Sequence, residues 1–334
     1  MAVTLRQLAQ QLGLSAATLS MVLNNKPGIS QETRDRVMAA IHESGYVYKR
    51  PATPVRQHSS SICFAIYKKH GQLIGNTPFF SVLIETIQRA AEAEGFTLNL
   101  IYANEGELDR VLTSRNDGIL LLGTEMDEHD LTPLLRYDRP LVVLDNSFFG
   151  APVNTVCIDN IGGQGQAVAQ LVKQGHRRIG YFSSSVNIRN FEERRAGFRR
   201  AMAQAGLEIH DADLYSLPPT IDGAHTALRQ QMETQPLQAT AYVADMDFIA
   251  IGAMQAMSDL GLRCGQDVSL IGFDDIFLTA TTDPALSTVH VYTDALGSMA
   301  VCRLSELINR PDQMQTHIAV NTSLTLRQSI CDCV

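Results

Sequence analysis

Two aspartates end apolar, strand-like runs at separate places in the chain. Asp145 ends the run "PLVVLD" and Asp274 ends the run "SLIGFD". Ligands of open parallel sheets bind in the crevice outside the carboxyl ends of the strands, so both carboxylates are expected to face it. A carboxylate there accepts hydrogen bonds from neighbouring hydroxyl groups, which suits a sugar. One such aspartate is better explained as the cap of a turn, but two at equivalent strand ends favour a binding crevice.

The elements that must position these aspartates alternate from Ile62 onward. Short β-rich runs are separated by helical stretches, with helices expected over 80–95 and 193–205. The strand-like runs are "SICFAIY", "TLNLIYA", "DGILLLG", "RPLVVLDN", "NTVCIDN", "RIGYFSS", "ATAYVAD" and "VSLIGFDD". This alternation is typical of βαβ units in parallel sheets. We therefore expect an α/β core of two similar doubly wound lobes.

The first sixty residues carry helix signals instead of strand signals. Thr4 and Gln7 have the spacing of a capping box, and Gly13 is placed to end the helix that they open. Ser15 and Ser30 are placed to cap a second and a third helix. Two helices joined at a glycine and braced by a third predict an all-α helix-turn-helix unit.

The outward face of the second helix favours an approach to a DNA groove. Thr18 and Ser20 can bond phosphates or base edges, whereas alanine and methionine can only pack, for instance on thymine methyl groups. The small residues at the start of this helix let its backbone come close to DNA, which a plain three-helix bundle would not need. The residues of this face are Ala16, Ala17, Thr18, Ser20, Met21 and Asn24.

The charge of the chain is unevenly distributed along the sequence. Residues 1–57 contain seven basic and three acidic residues, a net charge of +4, whereas the whole chain carries −8. The remaining residues therefore carry −12. A small basic module attached to an acidic body is the expected arrangement when only the module meets phosphate.

Several other function classes find no support in the sequence. The stretch "GGQGQA" over 162–167 lacks the third glycine of a dinucleotide-binding turn, where Val168 stands, and is better explained as the start of a helix. Neither a Ser-His-Asp arrangement nor a metal-ligand spacing stands out, so no catalytic residue, metal or cofactor is expected. The six cysteines are scattered, and no apolar run is long enough to span a membrane, so we expect a cytoplasmic protein.

The N-terminal segment resembles the headpiece of the LacI/GalR (lactose-repressor) family of bacterial transcription regulators. The resemblance rests on "VTLRQLAQQLGLSAATLSMVLN" and "ISQETRDRVMAAIHESGYV". It implies DNA contacts from the second-helix face and from residues beside it, namely Thr4, Ser15, Ala16, Ala17, Thr18, Ser20, Met21 and Asn24. Many members have arginine where this chain has Met21, so the operator sequence does not carry over.

The segment "VYKRPATPVRQHSSS" is a linker by composition and matches the hinge of the family. In the family this hinge forms a short helix on DNA, and a leucine inserts into the minor groove. Val55 occupies that position here. Pro54 removes a backbone donor and crowds the preceding turn, although Pro51 suits a helix start. We expect weakened insertion by Val55.

The resemblance continues through the core, which in the family is similar to periplasmic sugar-binding proteins. It is carried by "TPFF", "GHRRIGYF", "ERRAGFRRAM", "DFIAIGAMQAM" and "DVSLIGFDDI". It implies effector contacts by an aromatic pair, an arginine, an asparagine and three aspartates, with the arginine and Asp274 expected on opposite sides of the cleft. These residues are Phe79, Phe80, Asp145, Asn190, Arg194, Asp247 and Asp274. The longer stretch "YKKHGQLIGN" and Met246 depart from the family pattern.

The resemblance implies a three-part chain. We expect a DNA-binding headpiece over 1–46, a hinge over 47–60 and a two-lobed effector-binding core over 61–334, crossed by the chain near 157–160, 288–292 and 318–322. The implied function is that of a homodimeric repressor on palindromic double-stranded DNA, controlled by a small effector, most simply a sugar. The alternatives are a cytoplasmic sugar-binding protein and a nucleobase-responsive regulator of the same architecture.

Overall fold

The computed structural model describes residues 9, 12–15, 18–19, 22, 30, 33–37, 40, 60–75 and 77–332. The chain forms two compact units, Met1–Gln57 and His58–Val334. In the described parts of the chain, no helix is long and apolar enough to cross a membrane.

Gly13 separates the first two helical stretches of the N-terminal unit. It has φ +65°, and the N–H of Leu14 donates to the carbonyl of Ala9 at 3.0 Å, the long-range bond of a Schellman ending. Ser15 then accepts the backbone N–H of Thr18 at 3.0 Å on its Oγ and so caps the second helix. Glycine ends one helix and serine begins the next, as the sequence predicts.

A third helical stretch completes this unit. The Oγ of Ser30 accepts the backbone N–H of Thr33 at 3.3 Å, the same capping arrangement as at Ser15. The apolar side chains of the three stretches share one small core, formed by Ala9, Leu19, Val22 and Val37 with Leu12, Leu14 and Ala40 packed against it. Thr4, Gln7 and residues 47–59 of the expected hinge lie outside the described residues.

The second unit contains two six-stranded sheets, one in each lobe. In lobe 1 all neighbouring strands are parallel, in the order β11-β5-β4-β3-β1-β2. Its strands are β1 (Ser61–Lys68), β2 (Thr97–Asn104), β3 (Gly118–Leu122), β4 (Leu141–Leu144), β5 (Asn154–Ile158) and β11 (His317–Val320). Strands β3 and β4 are buried along their whole length, as expected for a parallel sheet covered on both faces.

Lobe 2 has the strand order β12-β10-β9-β8-β6-β7, with only β12 antiparallel to its neighbour. Its strands are β6 (Ile179–Ser184), β7 (Leu214–Leu217), β8 (Ala241–Ala244), β9 (Ser269–Asp274), β10 (Ser287–Val291) and β12 (Thr322–Thr325). The two lobes thus repeat one strand order and differ in the direction of one edge strand, and the expected doubly wound α/β core is present.

Helices cover the faces of both sheets. They are α1 (Pro78–Ala93), α2 (Leu108–Leu112), α3 (Leu131–Leu135), α4 (Asn160–Lys173), α5 (Arg189–Gln204), α6 (Ile221–Thr234), α7 (Asp247–Asp259) and α8 (Thr293–Asn309). Helix α4 begins where the sequence predicts a helix start, and the Asp159 carboxylate accepts the backbone N–H of Gly162 at 2.8 Å. Helices α1 and α5 each begin a few residues before the ranges expected from the sequence.

The chain passes between the lobes three times. Asp159 joins β5 of lobe 1 to α4, which packs on lobe 2, and Tyr292 joins β10 of lobe 2 to α8, which packs on lobe 1. Asn321 joins β11 to β12. With three connections, neither lobe is a continuous segment, and the carboxyl ends of β4 and β9 both border the cleft between them.

Candidate functional site

A small cavity lies in the cleft between the lobes of the second unit. It encloses about 30 Å³, which is room for about one water molecule. Both lobes line it, through strand ends, the loop before α1 and the first turns of α1 and α5. The lining residues are Leu73, Thr77, Phe79, Phe80, Thr124, Asp145, Ile158, Ile188, Asn190, Phe191, Arg194, Met246 and Asp274.

Asp145 follows β4 and forms the lobe 1 side of the polar wall. Its carboxylate accepts the Thr124 hydroxyl at 2.6 Å and the Asn190 side-chain amide at 2.9 Å. Because Asn190 belongs to α5, the second bond joins the two lobes. Burial raises the pKa of Asp145 to about 6, although both hydrogen bonds and the Arg194 charge oppose this. The carboxyl is therefore held at a strand end where its charge is costly.

Asp274 ends β9 and forms the lobe 2 side of the wall. Its Oδ1 lies 3.2 Å from a terminal nitrogen of Arg194, and burial raises its pKa to about 6 against the effect of that cation. Asp274 and Asp145 both have positive φ, at 113° and 63°. Non-glycine residues rarely adopt such backbone, and where they do, the strain often marks a functional site.

Arg194 is held by protein contacts in several directions. Its Nε donates to Asn160 Oδ1 at 2.9 Å, and one terminal nitrogen donates to the Asp245 carbonyl at 2.5 Å. The guanidinium also stacks 3.6 Å from the ring centre of Phe273. Arg194 and Asp274 thus pair within lobe 2, and the expectation that they face each other across the cleft is wrong. The reason is that α5 packs beside the sheet that contains β9.

The two phenylalanines expected at the site both border the cavity. Phe79 and Phe80 lie in the first turn of α1, 7% and 6% exposed, and their rings meet edge to face with centres 5.2 Å apart. They supply an apolar part of the cavity wall from lobe 1. A pocket with apolar walls and a few convergent polar groups is the usual form of a small-molecule site.

Asp247, which was also expected to contact the effector, does not lie on the wall of this cavity. It is the first residue of α7 and is fully buried. Its Oδ1 accepts the Thr288 hydroxyl at 2.6 Å and its Oδ2 accepts the Ile276 backbone N–H at 3.0 Å. Asp247 therefore connects the segment that follows β9 to the first residues of β10. Its neighbour Met246 borders the cavity instead.

Sequence reasoning missed several polar residues at the site. Thr124 follows "GILLLG" directly, so the end of that apolar run could have indicated it. The Glu193 carboxylate accepts a hydrogen bond from the Ser147 hydroxyl, which belongs to the other lobe. It also accepts a hydrogen bond from the Asn160 side-chain amide at 3.0 Å. Asp245 accepts the Tyr181 hydroxyl at 2.6 Å behind Arg194. These partners come from distant parts of the chain, and no local pattern joins them.

Two of the residues expected at the DNA surface are described. Ser15 is exposed and Thr18 is half-buried, and their hydroxyl groups lie 2.8 Å apart at the start of the second helix. The other expected contacts, Thr4, Ala16, Ala17, Ser20, Met21, Asn24 and Val55, lie outside the described residues. Within the described ranges, no group of three or more acidic, histidine or cysteine side chains could hold a metal ion.

Comparison with known families matches a part of each of the two units. Residues 4–48 match the family described as bacterial regulatory proteins, lacI family, and residues 168–330 match the periplasmic binding protein-like domain. The HTH-type transcriptional repressor PurR of Escherichia coli is 30% identical over 339 residues, covering 98% of this chain and 97% of the relative.

Solved structures share the same architecture. The transcriptional regulator CelR in complex with cellobiose is 27% identical, with TM-score 0.72, over 98% of this chain and 99% of that one. The lac repressor dimer bound to operator and the anti-inducer ONPF is 23% identical, with TM-score 0.72, over 99% and 100% of the two chains. The match to CelR includes the lobes that form the cavity.

The headpiece match, the two-lobed core and the full-length similarity to PurR agree with one another. The helix-turn-helix unit supplies DNA binding, and the core supplies a domain for a small effector. The chain belongs to the LacI family and is a DNA-binding transcriptional repressor with an effector-binding domain, not an enzyme.

Proposed function

We propose that the effector is an uncharged sugar or sugar derivative, bound in the cavity between the lobes. The observation that carries this proposal is the pair Asp145 and Asp274, which end strands of the two different lobes and both face the cavity. Carboxylates accept hydrogen bonds from sugar hydroxyls. Phe79 and Phe80 offer an apolar wall for the face of the ring. The similarity to CelR, solved with cellobiose, agrees with this class.

The charges at the cavity favour a neutral effector over a phosphorylated one. Two carboxylates and one guanidinium line it, and all three nitrogens of Arg194 already contact protein oxygens. An anion would therefore meet two buried carboxylates without an uncommitted cation among the lining residues. Like charges in a poorly solvated site repel strongly.

The cavity must widen for such an effector to enter. Small-molecule sites usually have about 300–1,000 Å³, far more than the present cavity of about 30 Å³. The bond from Asn190 to Asp145 and the one from Ser147 to Glu193 hold the lobes together across the cleft. We propose that the lobes open for the effector, and that this movement changes operator affinity.

We further propose a cytoplasmic homodimer that binds a palindromic operator. Edge strand β2 exposes Leu100 (45%) and Tyr102 (54%) on one face, and α1 exposes Val82 (47%). Phe277, on lobe 2, is 68% exposed. Exposed apolar side chains on an edge strand and its neighbouring helix are typical of an interface. Two headpieces related by a two-fold axis match the two half-sites of a palindrome.

The effector class is tested by a thermal-shift panel followed by calorimetry. The panel contains glucose, cellobiose, glucose 6-phosphate, adenine and hypoxanthine. We expect a neutral sugar to stabilise the protein and the sugar phosphate to have no effect. A nucleobase response without a sugar response would establish the alternative, a nucleobase-responsive regulator.

The site is tested by Asp274→Ala. A hydrogen bond to a charged group contributes about 1.5–3 kcal/mol, so effector affinity should fall roughly 10- to 100-fold. Asp312→Ala, at an exposed turn, is the matched control and should bind normally. Asp145→Asn is a second variant that keeps the Arg194 ion pair intact. Unchanged affinity in both Asp274→Ala and Asp145→Asn would place the effector elsewhere.

A further inference from the structure

The loop between β1 and α1 folds around one buried carboxylate. Glu125 follows Thr124, shortly after the end of β3. The Glu125 side chain is 0% exposed. It lies against residues 69–74, which are more than fifty positions away in sequence.

The carboxylate of Glu125 accepts five backbone N–H groups of this loop. Oε2 accepts those of residues 69, 70 and 71 at 2.9, 3.1 and 2.8 Å. Oε1 accepts those of residues 73 and 74 at 3.2 and 3.3 Å. The His70 ring lies 3.4 Å from Oε1. Burial raises the pKa of Glu125, but these backbone bonds and His70 outweigh it, so that the pKa is lowered overall.

Only an ionised carboxylate satisfies this loop. A carboxylate has about four lone-pair positions on two oxygens and no hydrogen to direct at an N–H donor. A glutamine at this position would replace one of the two oxygens with an NH2 group. That donor would then face the N–H donors of the loop. Buried donors without acceptors are costly, so the shape of the loop depends on this charge.

The loop in turn supplies part of the cavity wall. Leu73 is 3% exposed and borders the cavity beside Thr77, and Ile74, also 3% exposed, packs in the core of the lobe. The two N–H groups held by Oε1 belong to Leu73 and Ile74. Glu125 therefore determines where the Leu73 side chain sits relative to Phe79 and Asp145.

We propose that Glu125 is a positioning residue that holds the 69–74 loop against the cavity and thereby limits the size of effector that the repressor accepts. This inference rests on the proposed function, because it takes the cavity as the effector site. Glu125 itself does not touch the effector. It acts through Leu73, whose side chain occupies space that a larger ligand needs.

The first test is hydrogen exchange of the effector-free protein. In Glu125→Gln, amides of residues 69–74 should exchange at least about tenfold faster than in the wild type, with the strands of lobe 2 unchanged. Asp127→Asn is the matched control. Asp127 contacts the same loop through Lys69 Nζ at 2.6 Å, but its side chain is 48% exposed, so its loss should leave exchange near wild type. Wild-type exchange in Glu125→Gln overturns the proposal.

The second test compares a small and a large neutral sugar by calorimetry. The ratio of cellobiose to glucose affinity should rise at least about fivefold in Glu125→Gln and also in Leu73→Ala, which opens the wall while leaving the carboxylate in place. The size-limiting role is overturned if the loop exchanges faster in Glu125→Gln and the ratio of cellobiose to glucose affinity is unchanged in both Glu125→Gln and Leu73→Ala. If neither sugar binds the wild type or the variants, the proposed function falls, while hydrogen exchange still decides whether Glu125 holds the loop.

Discussion

At the scale of single residues, the cleft concentrates carboxyl groups whose ionisation is disfavoured. Burial is the largest cause in each case and raises the pKa of Asp145, Asp245 and Asp274 to about 6. Asp274 and Asp245 are both in contact with Arg194, and Asp145 is joined to the opposite lobe through Asn190. Burial therefore makes the charged form of each of these carboxyl groups costly, and the hydrogen bonds and cations around them offset only part of this cost.

This pKa shift predicts a pH dependence of stability. The native pKa of Asp145 is above the ordinary value of about 3.9, so the folded protein holds a proton that the unfolded chain has lost. The resulting stabilisation is complete below about pH 4 and is lost as the pH rises through about 6. Between pH 7 and pH 5 the unfolding free energy of the wild type should rise by about 1 kcal/mol relative to Asp145→Asn.

Urea denaturation of both proteins at pH 5, 6 and 7 measures this difference. Taking the difference between the proteins removes the contribution of titrating groups that do not interact with Asp145, including Asp275 and Glu125, whose lowered pKa values act in the opposite direction. The charge of Asp145 contributes to the raised pKa of Asp274, so the measured difference belongs to this pair of carboxyl groups. A difference that does not change with pH would show that Asp145 titrates normally in the folded protein.

At the scale of elements, the start of the second helix of the headpiece depends on one hydroxyl. Ser15 accepts the Thr18 N–H, and its carbonyl accepts the Leu19 N–H at 3.1 Å. Replacing an N-cap serine by alanine costs about 1 kcal/mol, whereas glycine costs only a few tenths. In the DNA-free protein, Ser15→Ala should therefore speed amide exchange at Leu19 about fivefold, and Ser15→Gly should change it little.

Exchange measured by NMR separates these two variants. Because no DNA is present, any contact that Ser15 makes with an operator does not enter the comparison. Equal acceleration in the alanine and glycine variants would mean that the hydroxyl acts in some way other than as a cap. Ser30→Ala removes the corresponding cap of the third helix and serves as a control for general loosening of the unit.

At the scale of the whole molecule, charge and fold divide the chain at the same place. The unit Met1–Gln57 carries net +4 and the unit His58–Val334 carries −12. A protein chain of residues 58–334 should therefore lose operator binding and retain effector binding. Operator binding by that truncated chain would contradict the assignment of DNA binding to the unit Met1–Gln57.

The full-length protein should also show a steep salt dependence. A protein that makes about 6–10 phosphate contacts loses roughly 10³–10⁵ in affinity between 50 and 200 mM salt. We expect operator binding to fall in this range and effector binding to change little, because the effector is proposed to be neutral. Fluorescence anisotropy with a labelled operator gives the slope, and a shallow slope would argue against phosphate contacts by the basic unit.

The sequence by itself was enough to predict most of the strands and their order along the chain. The eight strand-like runs correspond to β1–β6, β8 and β9, and the Gly13–Ser15 junction separates two helical stretches. These features depend on neighbours a few residues apart, namely side-chain periodicity, caps and turn residues. The strands β7, β10, β11 and β12 were not foreseen, because none of them is an uninterrupted apolar run, unlike the equally short β3, β4 and β8.

The partners of the charged side chains were decided only by the tertiary structure. Asp145 and Asp274 could be placed at strand ends from the sequence, but the pairing of Asp274 with Arg194 inside one lobe depends on α5 packing beside the sheet that contains β9. Asp247 faces inward because β10 lies next to β9 and brings Thr288 to its carboxylate. Glu125 meets its loop only because β1 and β3 are neighbours in the sheet. Such contacts join residues tens of positions apart, so strand order and lobe packing set them.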